Sequence, residues 1–191
     1  IEMGFGNGRF LAYAKRRGWS IQGVEANAEL VNIALQKGFE ACQGTDLAAF
    51  GTGRFDLVVA FDVLEHVPQA SLEGLMADIS RVLVGGGAFI ARFPNGDFPF
   101  GLPNQNGDVT HVNAIGTGKV SQLAAGSGLQ LLFVGGEAKP VFGVSLVHML
   151  HRIAVWPIKA LINGFVNWVL FPGARLAFCS ANLVVVLRSA K

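Results

Sequence analysis

Acidic residues are missing from the last quarter of the chain. All 13 lie between Glu2 and Glu137, whereas Lys139, Arg152, Lys159, Arg175, Arg188 and Lys191 follow without an acidic partner. Charge is scarce throughout: Asp, Glu, Lys and Arg make up 15% of the residues, against roughly 25% in ordinary soluble domains. A formal net charge of +2, with no Lys/Arg stripe interleaved with aromatics, excludes nucleic acid as the expected partner. Cysteine is nearly absent. Cys42 and Cys179 are too few for a disulfide framework and belong to no CxxC or Cys/His cluster, so no metal is expected and a reducing, cytoplasmic setting is. No secretory signal opens the sequence: Ile1 leads directly into a glycine-rich turn, and a missing upstream segment is expected.

What remains is strongly apolar, 51% hydrophobic over 191 residues, enough for one domain with a sizeable core. Through residue 135 short apolar runs alternate with helical patterns, the signature of βαβ units and a mostly parallel sheet. Strands are expected at 1–3, 20–25, 39–43, 55–61, 88–93, 129–134 and 184–187. Helices are expected at 9–17, 28–37, 71–83 (with Ser71 as N-cap) and 118–125. Gly85 to Gly87 reads as a turn and 94–107 as a loop. Phe55 to Phe61 (FDLVVAF) is the clearest strand, a continuous apolar run suited to a centre covered on both faces.

The candidate site begins at Glu2-Met3-Gly4-Phe5-Gly6-Asn7-Gly8, an acidic residue and three alternating glycines between a strand and a helix. Glycine adopts positive φ freely and bares the backbone to a ligand; a merely tight structural turn is the alternative. A dinucleotide fingerprint would place a third glycine at Arg9, where bulk obstructs helix–strand packing, so NAD is disfavoured. Glu25 ends the second strand, where an open α/β sheet places a carboxylate against ribose hydroxyls, unless it is simply a solvated strand-end residue. Asp46 follows the third strand, suited to an adenine amino group or to capping the next turn. Phe61-Asp62-Val63-Leu64-Glu65-His66-Val67 follows the central strand, and His111 lies in the segment after the fifth.

Together EMGFGNG, GVE, GTDL and FDLVVAFDVLEHV, in this order and spacing, resemble the class I S-adenosylmethionine-dependent methyltransferases, particularly the bacterial group with an LEHV motif. The resemblance covers residues 1–135. It implies a Rossmann-like, mostly parallel sheet with helices on both faces and an antiparallel last strand. It implies S-adenosylmethionine as cofactor and a small-molecule methyl acceptor, such as a sugar, lipid-linked or quinone-type intermediate. Glu2 and the backbone of Gly4, Gly6 and Gly8 would hold the methionine portion, Glu25 the ribose, and Asp46 with the Leu47 backbone the adenine. Asp62 would line the methionine side, with His66 and His111 the catalytic candidates on the acceptor side. A non-catalytic cofactor-binding or interaction module of the same fold is the alternative. The family usually has more chain before the glycine turn, and Phe5 stands where a small residue is common.

The family often joins its last two strands by a short turn, whereas here residues 139–179 form an apolar, basic insertion within the one domain. Trp156, Trp168 and Phe171 among scattered Lys and Arg predict a helical hairpin at 141–178 resting on a membrane surface, with a helical cap on the sheet or on a second subunit as the alternative. A true span is not expected, because Ile153 to Phe171 contains Pro157, Lys159, Asn163, Gly164 and Asn167. The expected location is cytoplasmic, peripheral at the inner face of the membrane.

Overall fold

A computed structural model describes all residues, Ile1 to Lys191. The elements in chain order are β1 (Glu2–Met3), α1 (Arg9–Arg16), β2 (Gln22–Glu25), α2 (Ala28–Gln36), β3 (Glu40–Gln43), β4 (Phe55–Phe61), a 3-10 turn (Leu64–His66), α3 (Gln69–Val82), β5 (Leu83–Pro94), α4 (Leu102–Asn106), α5 (Thr117–Gly126), β6 (Leu129–Gly136), α6 (Leu146–Phe165) running into a π turn (Val166–Leu170), and β7 (Asn182–Ser189).

Seven strands form one sheet in the order β3-β2-β1-β4-β5-β7-β6. The first five pair in parallel, and β7 inserts antiparallel between β5 and β6. Strand order reverses at β1/β4, so the carboxyl ends of β1, β2 and β4 open onto a topological switch point, the usual crevice for ligands. The fold is the expected Rossmann-like one.

Two core clusters sit on opposite faces. Val24 joins the larger, with Leu72, Ile79, Phe89 and Leu187. A Cβ on its neighbour Gly23 would lie 2.5 Å from Phe5, so that residue faces the smaller cluster of Phe5, Leu11, Val31 and Ala34. Successive strand side chains alternate between faces, and Gly23 is the only residue type that leaves room for the Phe5 ring.

Three local readings are corrected. α3 starts at Gln69 rather than Ser71, because Pro68 occupies the N-cap and the φ of proline suits that boundary. Gly85 to Gly87 do not precede β5 but lie within it: Phe55 pairs with Leu83 and Leu57 with Ala88, so the glycines form a bulge with Gly86 at φ 76. The insertion is one helix and not a hairpin. Residues 141–145 are irregular, Ser145 caps α6, and the helix runs unbroken through Pro157.

α6 is amphipathic in the inverse sense. Its polar stripe faces the protein: Arg152 donates to the Pro140 carbonyl, Asn163 Oδ1 accepts from Cys179 N–H at 3.0 Å, and Asn167 Nδ2 donates to the Leu176 carbonyl at 2.9 Å. Spacings of eleven and four residues place the three on one face. Trp168, 83% exposed, and Leu161, 75% exposed, project into solvent, and along Leu146–Leu170 only Val166 is buried.

Candidate active site

Tight turns at the carboxyl ends of β1, β2 and β4 build the site. Gly4, Gly6 and Gly8 have φ of 62, 50 and 70. Their amides are already engaged: Gly4 N–H donates to Val24 O at 2.8 Å, Gly8 N–H to Phe5 O at 2.8 Å, and Gly6 N–H to Glu25 Oε2 at 3.0 Å. The turn therefore offers a ligand bare Cα surface rather than the free donors suggested by its sequence. An ideal Cβ at Gly6 meets nothing within 4 Å, so this open spot is where a bound group can rest on backbone. Gly4 serves packing instead, since a Cβ there would lie 2.5 Å from Val63.

Glu25 points at the glycine turn. Its second oxygen accepts from Asn27 N–H at 3.1 Å, so the carboxylate is oriented by two backbone donors while each oxygen keeps a lone pair. Asp46 is exposed, and its Oδ1 accepts from Ala48 N–H at 3.0 Å. It thus has the capping role, with one oxygen left over. The Leu47 side chain is fully buried, which leaves only its backbone for a ligand.

Glu2 is 4% exposed and its Oε2 has no partner. Burial pushes its carboxyl up to about 7, with the Leu11 amide pulling the other way. Because the folded value lies above the ordinary 4.5, the linked stability is fully present below pH 4.5 and is lost as pH rises to about 7. Urea midpoints should therefore fall between pH 4.5 and 7 relative to Glu2→Gln, by up to about 3 kcal/mol in stability. A constant difference between the two proteins over that range refutes the assignment.

Asp62 has φ 56, a left-handed conformation uncommon outside glycine and Asn/Asp. Its N–H donates to Arg92 O at 2.7 Å, and the Arg92 guanidinium pairs with its carboxylate. Arg92 Nη1 also reaches Glu137 Oε1 at 3.1 Å, and Asn182 donates to the other Glu137 oxygen at 3.0 Å. Asp62 is therefore committed to an ion-pair network as well as standing at the strand end. This network borders an open cavity of about 400 Å3 lined by Phe61, Arg92, Phe133, Gly136, Glu137, Ala138 and Val184. Sequence reasoning passed over Arg92 and Glu137; the available signal was an arginine inside the apolar run AFIARF.

His66 and His111 come together, ring centroids 4.8 Å apart. The Glu65 carbonyl draws the later segment in by accepting from Val112 and Asn113 N–H at 2.8 and 3.1 Å. Thr110 Oγ1 lies 2.6 Å from Asp108 Oδ1, a carboxylate that can only accept from it, and 2.9 Å from His66 Nδ1. The hydroxyl proton is thus used on Asp108, and His66 Nδ1 must carry the donor. His111 Nδ1 lies 3.1 Å from the Asn104 carbonyl and must donate as well. In the neutral tautomer that this arrangement selects, the lone pair of each ring lies on Nε2. Asp108 lies below its ordinary value because of the Thr110 hydroxyl.

The family described as "Methyltransferase domain" matches residues 1–91, which carry every site residue named above through Asp62 and His66. The first part of the chain is thus similar to a methyltransferase domain. The fold of the chain agrees with solved structures over nearly its whole length. A SAM dependent methyltransferase from Archaeoglobus fulgidus has a TM-score of 0.69 at 19% identity, covering 98% of this chain and 84% of that one. An S-adenosylmethionine dependent methyltransferase from Mesorhizobium loti has a TM-score of 0.64 at 16% identity, covering 98% and 88%. No curated protein matches the chain in sequence.

Proposed function

We propose that the chain transfers the methyl group of S-adenosylmethionine to a small-molecule acceptor held beside the Asp62–Arg92 pair. The observation that carries this reading is the Glu25–Gly6 junction at the switch point, with a separate cavity along the same strand edge. The residues fit the cofactor: the partnerless oxygen of Glu2 suits an ammonium group, Gly6 leaves room against backbone, and Glu25 keeps acceptor capacity for ribose hydroxyls. Asp46 and the Leu47 backbone serve the adenine. S-adenosylmethionine supplies an activated sulfonium methyl, so the protein has mainly to align the acceptor and exclude water.

Phe61, Phe133 and Val184 give the cavity apolar walls beside Arg92 and Glu137, which suits a lipid-linked or quinone-type acceptor with one polar end. His66 and His111 stand on the acceptor side with Nε2 lone pairs, suited to an acceptor hydroxyl. Labelled cofactor and a panel of apolar hydroxyl acceptors test the reading. His66→Ala should lower turnover by about hundredfold or more with cofactor affinity unchanged. Unchanged turnover removes His66 from the chemistry, and failure of the wild type to bind S-adenosylmethionine by calorimetry ends the proposal.

The same reading puts the protein on the cytoplasmic face of a membrane through α6. This helix is long and apolar enough to cross a bilayer, yet its residues are not core residues. Crossing once would separate β6 from β7, which are hydrogen-bonded neighbours. The intervening segment after Leu170 is irregular and could not return through hydrocarbon. A helix lying in the interface, outward Trp and Leu among the acyl chains and Lys159 and Arg175 at anionic headgroups, satisfies both constraints.

A further inference from the structure

We infer that Glu65, His66 and His111 form a binding site for a divalent transition-metal ion at the carboxyl edge of β4. One ligand atom from each of the three lies within 4.8 Å of the others. Two imidazoles and one carboxylate are a donor set that suits zinc, manganese, iron or cobalt and leaves coordination positions open. Ligands around zinc at about 2.0–2.1 Å stand roughly 3.3 Å apart, so small side-chain rotations close the observed spacing.

Two independent features show a built site rather than a chance cluster. Glu65 is 2% exposed, yet its Oε2 has no hydrogen-bond partner. An orphaned buried carboxylate oxygen costs free energy, and a cation beside it removes that cost. The second feature is the orientation of both rings. Asp108 and Thr110 hold the proton of His66 on Nδ1, and the Asn104 carbonyl does the same for His111. Metal-binding histidines characteristically donate their second N–H to a carbonyl or carboxylate system in this way, which frees Nε2 as the ligand.

The sequence concealed the site because its spacing follows no local metal motif. Glu65 and His66 are adjacent, while His111 arrives on the segment beyond β5, held there by the paired donation from Val112 and Asn113 N–H to the Glu65 carbonyl. The inference rests on the methyl-transfer reading only in its consequence: a cation here lies on the acceptor side and selects acceptors that offer it an oxygen ligand. In that state His66 serves as a ligand rather than a free base.

The test uses the whole chain, stripped with a chelator and dialysed, without cofactor or acceptor. Titration with zinc, and with cobalt followed by its visible absorption, should give one ion per chain at micromolar affinity. His111→Ala and Glu65→Gln should each weaken binding by about hundredfold. Thr110→Val, which removes only the group orienting His66, should weaken it by roughly 10–100-fold. Circular dichroism confirms that each variant is folded, and His111→Ala, at a partly exposed position, serves if Glu65→Gln is not. Absence of stoichiometric binding by the wild type, or equal binding by folded His111→Ala and Thr110→Val, overturns the site. Either result leaves S-adenosylmethionine binding and methyl transfer to be measured on their own.

Discussion

Glu25→Ala should bind S-adenosylmethionine roughly a hundredfold more weakly than the wild-type chain. The carboxylate is held between Gly6 N–H and Asn27 N–H, so its position is set before a ligand arrives and little ordering is required on binding. Hydrogen bonds from two ribose hydroxyls to an ionised acceptor contribute about 1.5–3 kcal/mol each, and their joint loss, partly offset by water, is about 3 kcal/mol. Glu25→Gln keeps one acceptor oxygen and should lose roughly tenfold. Calorimetry with the cofactor reads both, after circular dichroism shows that the variants fold. An unchanged dissociation constant for Glu25→Ala would remove the switch-point pocket from the mechanism.

A second large effect is expected on membrane partition. Trp156, Leu161, Phe165 and Trp168 are 73%, 75%, 57% and 83% exposed on α6. Burying one such side chain in an apolar phase contributes about 1.5–3 kcal/mol, so replacing all four with Ser should lower partition by several orders of magnitude. Flotation with vesicles containing anionic lipid measures this, with neutral vesicles separating the charge contribution of Lys159 and Arg175. The same four positions contribute little to the folded core, so the variant's melting temperature should stay near that of the wild type. Equal recovery of both proteins in the soluble fraction would refute the membrane reading and favour a second copy or another protein as the cover for α6, which size determination in solution would reveal.

Much of this architecture was legible in the residues. β4 could be read from FDLVVAF because a strand covered on both faces needs apolar side chains on each, and α1 and α2 from their stops at Gly18 and Gly38, with φ of 74 and 73. The glycine turn and Glu25 could be paired from spacing alone, since consecutive βα units place their turns at one edge. Other features depended on partners distant in sequence. The engagement of all three glycine amides was not visible, because their acceptors include Val24 and the Glu25 side chain on another strand. The role of Arg92 was not visible either, because its partners Asp62 and Glu137 lie 30 and 45 residues away in the chain.

The sequence by itself determined the α/β class, the succession of strands and helices along most of the chain and the residues of the glycine turn, because these follow from short-range periodicity and from the conformations that particular residue types allow. Only the tertiary structure decided that Glu65, His66 and His111 share one place, and that α6 turns its polar stripe inward. Contacts between distant segments and the direction a helix faces depend on which surfaces meet in the packed chain, and no local pattern encodes that.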